Sequence, residues 1–116
     1  MLPYSECCEP LHRGTAIAPT AARLMRSRYS AFALGEVDYL LSTWSPRTRP
    51  AELELYPDQR WLGLEILRVT GGMLDDHATV EFIARYSNEG ARGEQHEISS
   101  FVREGGRWYY LTEVNP

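Results

Sequence analysis

The stretch HEISSF contains two side chains of types that transfer protons in many enzymes, His96 and Glu97. If this stretch is a β-strand, its side chains alternate between two faces, so that Glu97, Ser99 and Phe101 share one face and His96 lies on the other. Phe101 is expected to face the interior, which would bring Glu97 to the same side. Because burial raises the pKa of a carboxyl group, we predict Glu97, or His96, as a general acid or base.

Two other interpretations of this stretch stay open. The opposite register would turn the apolar Ile98 and Val102 inward instead. Alternatively, the two ionisable side chains lie on the surface of a sheet, where they form ion pairs with Arg85 or Arg107 on neighbouring strands. In that case they stabilise the sheet and have no part in a reaction.

The only two cysteines, Cys7 and Cys8, are adjacent near the N-terminus, and His12 follows four residues after Cys8. Thiolate and imidazole groups bind zinc, but structural zinc takes four protein ligands and this segment offers three at most. A disulfide between adjacent cysteines requires a strained ring. We therefore expect two free thiols and no metal, with Cys7, Cys8 and His12 as ligands only if a second chain completes a zinc site.

Composition argues against several classes of protein. The net charge is −4, and all twelve basic residues are arginines, so we expect no general binding of nucleic acid. No apolar run approaches the length of a membrane span, and no signal-peptide pattern is present, so the expected location is the cytoplasm and no membrane partner is expected. Walker-type, dinucleotide-binding and HExxH motifs are absent, and no cofactor is predicted.

The first half of the chain has the residue pattern of helices. Thr20 suits the N-cap of a helix over residues 21–34, and Gly35 suits its end. The predicted apolar face of this helix consists of Ala22, Met25, Tyr29, Phe32 and Ala33. The predicted polar side consists of Arg23, Arg26, Ser27 and Ser30. A second helix is predicted over 35–44 and a short third one over 51–55, whereas residues 1–19 are expected to be irregular.

The second half changes to an alternating pattern, which predicts four strands over 61–70, 77–87, 94–104 and 107–114. Ala78, Val80, Phe82, Ala84 and Tyr86 form one face of the second strand, and the other face is mostly polar. Helices followed by an antiparallel meander indicate an α+β domain, predicted over 20–116. Helices lying across a curved four-stranded sheet would bury both apolar faces and leave a cavity at the open end.

Four stretches of the sequence together resemble the YchJ-like family of small bacterial proteins: PYSECCEPLHRGT, LMRSRYSAF, DYLLSTWSPRTRP and HEISSFVREGGRWYYL. The resemblance implies the cone-shaped fold of nuclear transport factor 2, also called cystatin-like, and it implies no reaction. Cys7 and Cys8 resemble the tail of a SecA C-terminal-type cysteine motif, whose first half is not in this sequence. The resemblance also marks residues 26–29 as characteristic.

We predict that the cavity is lined by Arg28, Tyr29, Trp44, Trp61, Phe82, Ser99, Phe101 and Tyr110. In one interpretation, Arg28 points into the cavity and meets a carboxylate or phosphate. In the other, the arginines of this helix pair with acidic residues on neighbouring elements and fix the helix in place.

The function expected from these features is binding of a small molecule in the cavity. One alternative is a protein-interaction module, in which aromatic side chains fill the interior and the outer face of the sheet contacts a partner or a second copy of the chain. Another is an acid–base enzyme acting on a small organic molecule. An open cavity of roughly 300 Å³ or more that contains an ionisable side chain would favour the ligand-binding and enzyme hypotheses.

Overall fold

The computed structural model describes residues 4, 8–55, 59–72 and 74–114. Three helices come first: α1 (Glu9–His12), α2 (Ala21–Leu34) and α3 (Val37–Ser42). Four strands follow: β1 (Gln59–Thr70), β2 (His77–Asn88), β3 (Ala91–Glu104) and β4 (Arg107–Val114). The strands form one sheet in the order β1-β2-β3-β4, and all neighbours are antiparallel. The predicted α+β architecture is confirmed.

The predicted bounds of α2 are confirmed by its caps. The side chain of Thr20 accepts a hydrogen bond from the backbone N–H of Arg23 at 3.2 Å, which satisfies one of the free donors at the helix start. Gly35 ends the helix with a φ of 77°, a conformation that glycine adopts without steric cost.

The buried face of α2 differs from the predicted one. It includes two polar residues, Ser27 and Arg28, whereas Ala33, predicted on the apolar face, is exposed. The Ser27 hydroxyl donates to the Leu24 carbonyl at 2.8 Å and lies 2.7 Å from the Tyr39 hydroxyl on α3. Ser27 is completely buried, and these two bonds give its hydroxyl group the partners that a buried polar group needs. Its predicted place on the polar side of the helix is therefore wrong. Sequence periodicity missed this because it treats a hydroxyl as exposed.

Two other local predictions are wrong, and a third, the second helix, is confirmed with a shorter extent. Residues 51–55 form no helix, since a five-residue helix without a cap gains too little to offset its nucleation cost. The second helix ends at Ser42, and the backbone then pairs with β4, where Ser45 N donates to the Tyr110 carbonyl at 2.7 Å. Within the segment predicted to be irregular, Glu9–His12 form a short helix whose Leu11 is buried.

The helices cover the inner face of the sheet. Ala78, Val80, Phe82 and Ala84 are buried on β2, as the alternation predicts, and α2 packs against β1, β2 and β4. Register shifts interrupt the pairing at two places in β1 and at one place between β3 and β4. Such bulges increase local twist and bend a strand, which suits a sheet curved around α2.

A close contact between two strands sets the position of one aromatic wall. Gly93 on β3 pairs with Tyr86 on β2, and a Cβ at position 93 would come within 2.7 Å of the Tyr86 ring. The same ring packs edge-on against Trp61, with centroids 5.8 Å apart. Because position 93 is a glycine, the Tyr86 ring can lie close to the backbone of β3 and pack against Trp61.

In the described part of the chain, no helix combines the length and apolar character that crossing a bilayer requires. The predicted cytoplasmic location stays a prediction.

Candidate functional site

A cavity of about 360 Å³ lies between α2, the segment that follows α3, and the inner face of the sheet. Its apolar wall is formed chiefly by Met25, Phe32, Leu53, Leu55, Trp61 and Phe82. Polar side chains from α2 and β3 reach the same space. The interior is therefore open, although aromatic side chains surround it.

Arg28 is the only arginine among the side chains that the structure places around this cavity, and it is only 4% exposed. Its position on α2 turns it toward the end of α3. There its Nη1 donates to the Leu40 carbonyl and to the Thr43 hydroxyl, each at 2.7 Å. The Leu40 carbonyl is one of the backbone groups that a helix leaves free at its C-terminus, where a positive charge is also favoured.

Aromatic rings cover the rest of the Arg28 guanidinium. Its Cζ lies 4.8 Å from the centre of the Tyr110 ring and 5.2 Å from that of Trp44. Burial lowers the pKa of Arg28 to about 10, an effect that the charge of Glu97 partly opposes. None of the ion pairs between described residues involves Arg28, so the predicted pairing of this arginine with an acidic side chain is wrong.

Two of the three nitrogen atoms of the Arg28 guanidinium form no hydrogen bond with the described residues. The two protons of Nη1 go to Leu40 and Thr43, but no described residue accepts a hydrogen bond from Nε or Nη2. The indole Nε1 of Trp44, also in the cavity wall, is fully buried and has no acceptor among the described residues. Buried donors are usually paired, so the site has donors to offer a ligand.

Glu97 faces the cavity, as the first of the two possible registers predicts. It pairs across the sheet with Phe82 and accepts hydrogen bonds from Ser99 Oγ at 2.6 Å and Gln95 Nε2 at 2.9 Å. Burial raises the pKa of Glu97, and the nearby Glu113 carboxyl raises it further, whereas the bonds from Ser99 and Gln95 oppose the shift. The net result is a carboxyl group that holds its proton to a higher pH than usual.

His96 lies on the opposite face of the sheet. Its Nε2 is 2.7 Å from Glu81 Oε2, in an exposed pair between β3 and β2. The predicted partner Arg85 contacts Glu65 and Glu94 instead, at 3.0 Å and 3.3 Å. The structure therefore does not bring His96 together with Glu97, and His96 is excluded from the cavity chemistry.

The remaining predicted pocket residues divide into two groups. Tyr29, Trp44, Trp61, Phe82, Ser99 and Tyr110 line the cavity, whereas Phe101 lies in the core, 1% exposed. Sequence reasoning missed Leu53 and Leu55, because residues 51–55 were predicted as a helix with no place assigned to it. It also missed Gln95, although that residue is two positions from Glu97 on the same face of β3.

The outer face of the sheet was predicted as a partner or dimer surface. It carries the His96–Glu81 pair and the Arg85 ion pairs beside apolar residues such as Ile83. A homodimer through this face stays a prediction.

The N-terminal candidates form hydrogen bonds with α2. The Cys8 sulfur accepts from Ser30 Oγ at 3.2 Å. His12 Nε2 lies 2.7 Å from the Ser27 carbonyl, to which it donates, so Nδ1 accepts from the Tyr4 hydroxyl at 2.8 Å. Cys7 lies outside the described residues. No group of three or more metal-binding side chains is found among those that are described, and the conditional zinc site stays untested.

Helices lying across the concave face of a curved antiparallel sheet, with a cavity between the two layers, define an NTF2-like cone domain. The description of the family whose model matches residues 20–113 is "YchJ, middle NTF2-like domain". The chain belongs to this YchJ-like family, as the sequence stretches predicted.

Relatives and solved structures agree with this assignment. A UPF0225 protein of Bordetella pertussis is 51% identical over 111 residues, covering 93% of this chain and 83% of that protein. One from Streptomyces coelicolor is 52% identical over 108 residues, covering 92% and 84%. The solution structure of a SEC-C motif containing protein from Rhodopseudomonas palustris has a TM-score of 0.84 at 33% identity, covering 97% of this chain and 91% of that one. A crystal structure of a SEC-C motif containing protein from Psychrobacter arcticus has a TM-score of 0.81 at 31% identity, covering 99% and 75%.

Proposed function

We propose that this protein binds a small organic molecule in the cavity between α2 and the sheet. The observation that carries the proposal is the guanidinium of Arg28, which belongs to a side chain only 4% exposed and has two nitrogen atoms with no acceptor among the described residues. Burying a charged group costs free energy unless it is fully paired. Ionisable groups in clefts whose pKa is strongly shifted by burial cluster at functional sites, and burial lowers the pKa of Arg28.

The size and lining of the cavity support the same proposal. Its volume of about 360 Å³ lies within the range of ligand pockets, which are mostly apolar with a few polar groups that orient the ligand. In the protein-interaction hypothesis, Trp44, Trp61, Phe82, Phe101 and Tyr110 would fill the interior. Phe101 is packed in the core, whereas the other four side chains line an open space, which favours a ligand site.

The proposal is tested by recording ¹H–¹⁵N NMR spectra of the protein with a mixture of neutral, anionic and cationic aromatic fragments. We expect shifts in the backbone signals of residues around the cavity. Ala84 lines the cavity and is 3% exposed, so Ala84→Leu should fill the space and remove these shifts. Ala33→Leu makes the same change at an exposed helix position and should preserve them. If no fragment gives a shift that Ala84→Leu abolishes, the cavity is not a binding site.

Acid–base catalysis in the same cavity is a second candidate, and the position of Glu97 favours it. A half-buried carboxyl group with a raised pKa is suited to take a proton from a bound molecule. The test is ¹H NMR in D₂O of bound fragments that carry an acidic C–H next to a carbonyl group. The wild-type protein should accelerate exchange of that proton, and Glu97→Gln should not. Equal exchange rates for the two proteins would exclude Glu97 as the base.

A further inference from the structure

We infer that the cavity receives a small organic monocarboxylate with an apolar body, and that Nε and Nη2 of Arg28 hold its carboxylate side-on. This inference rests on the proposed function and specifies the class of ligand. Three features support it: the Nε–Nη2 edge of the guanidinium (its free edge), the charged side chains around the cavity, and the apolar side chains of its walls.

The geometry of the free edge selects a carboxylate. A guanidinium group has three nitrogen atoms, and the Nε–H and one Nη2–H point in the same direction along one edge. Two parallel hydrogen bonds from such an edge match the two oxygen atoms of a carboxylate. In Arg28 the two Nη1 protons are donated to Leu40 and Thr43, so the Nε–Nη2 edge is the one for which the described part of the chain provides no acceptor. The two Nη1 bonds also fix the plane of the group before a ligand arrives.

The charge around the cavity favours a single negative charge over a phosphate dianion. Arg28 is the one basic side chain in the described lining, and Glu54 and Glu97 line the same space. A second negative charge would have no cation to pair with and would be repelled by these carboxyl groups. Phosphate sites usually provide several backbone N–H groups at the start of a helix or in a loop, whereas Arg28 lies in the middle of α2.

The apolar walls account for the rest of the ligand. The Arg28 guanidinium covers one face of Tyr110 and one face of Trp44, and the inference places the body of the ligand against the other wall residues. Trp61 contacts Tyr29 and Phe32 with ring centroids 5.8 Å and 6.3 Å apart, and these rings form one apolar corner. A flat aromatic or unsaturated body would bury its surface there, which is the main source of affinity for an apolar group.

The experiment is isothermal titration calorimetry with three acids and their amides of equal shape: benzoate, phenylacetate and cinnamate against benzamide, phenylacetamide and cinnamamide. We expect at least one acid to bind about tenfold or more tightly than its amide, because the amide loses a charge-assisted pair of hydrogen bonds. Arg28→Lys keeps the charge but has no planar edge. It should weaken binding of the acid about tenfold and weaken binding of the amide by a clearly smaller factor, since the amide lacks the charge that the guanidinium pairs with.

The outcomes separate this inference from the proposed function. If every amide binds as tightly as its acid, or if only neutral or cationic fragments shift the cavity signals, the carboxylate assignment is wrong and the cavity is still a binding site. If nothing in the fragment mixture binds, both are wrong. The acid–amide comparison uses the unaltered protein, so it gives an answer even if Arg28→Lys fails to fold.

Discussion

The guanidinium of Arg28 lies against the ring of Tyr110, with Cζ 4.8 Å from the ring centre. This contact joins the middle of α2 to the last strand of the sheet. The aromatic face provides a partner for a buried cation without neutralising it, since cation–π attraction is weaker than a buried ion pair. Burial and the charge of Glu97 raise the pKa of Tyr110 to about 12, against the opposite effect of Arg28, so its hydroxyl stays protonated at neutral pH.

The proton on Glu97 should control the binding of an acid. Glu97 shares the cavity with Arg28 and Tyr29 of α2 and with Glu54, while Tyr110 and Glu113 face it from β4. Its raised pKa means that it loses its proton at a higher pH than an ordinary carboxyl group. Once ionised, Glu97 repels the carboxylate of the ligand, and the two negative charges compete for the positive charge of Arg28.

We therefore expect the affinity for an aromatic acid to fall as pH rises through the pKa of Glu97. Glu97→Gln should remove this fall and bind the acid more tightly than the wild-type protein at any pH above the pKa of Glu97. Calorimetric titrations over a series of pH values that spans the ionisation of Glu97 measure the effect. Glu94→Gln, an exposed position on the same strand, should behave like the wild-type protein. An unchanged pH profile in Glu97→Gln would show that another group controls binding.

Ser27 should contribute to stability through its buried hydroxyl. Ser27→Ala removes the bond to the Leu24 carbonyl and leaves the Tyr39 hydroxyl without its partner. We expect the free energy of unfolding to fall by about 1–3 kcal/mol. Urea denaturation measures it, with the exposed Ser42→Ala as control, expected within about 0.5 kcal/mol of wild type. Equal stability of the two variants would contradict the role of the Ser27–Tyr39 contact.

Gly93 should be replaceable only if Tyr86 is also changed. Gly93→Ala places a Cβ 2.7 Å from the Tyr86 ring, and the resulting overpacking should cost about 1–3 kcal/mol of unfolding free energy. At Gly63 an added Cβ meets nothing within 4 Å, so Gly63→Ala should be tolerated. A Tyr86→Leu change should recover much of the loss caused by Gly93→Ala. If Gly93→Ala is as stable as Gly63→Ala, the ring can move without cost.

Sequence patterns predicted the elements whose own residues decide their structure. The caps at Thr20 and Gly35 gave the bounds of α2, and the alternation in β2 gave its buried face. For β3, the pattern allowed two registers because both faces carry apolar residues. The structure buries Phe101 and Val102 on opposite faces of one strand, next to the irregular pairing at Ser100 and Phe101.

The chemistry of the site was harder to predict, because it depends on groups with no sequence signal. Arg28 was singled out, but one of its acceptors is a backbone carbonyl, at Leu40, which any residue type would provide. The interaction with Tyr110 joins positions far apart in the chain. His96 and Glu97 are neighbours in sequence, yet strand geometry places them on opposite faces of the sheet.

The most direct test of the central claim is to follow the Nε–H signal of Arg28 in ¹H–¹⁵N NMR spectra while phenylacetate is added. A carboxylate held side-on by Nε and Nη2 should move this signal to higher proton frequency and slow its exchange with water, while phenylacetamide leaves it in place. Exposed arginines such as Arg47 should not respond to either compound. An Arg28 signal that stays unchanged when phenylacetate saturates the cavity would contradict the claim.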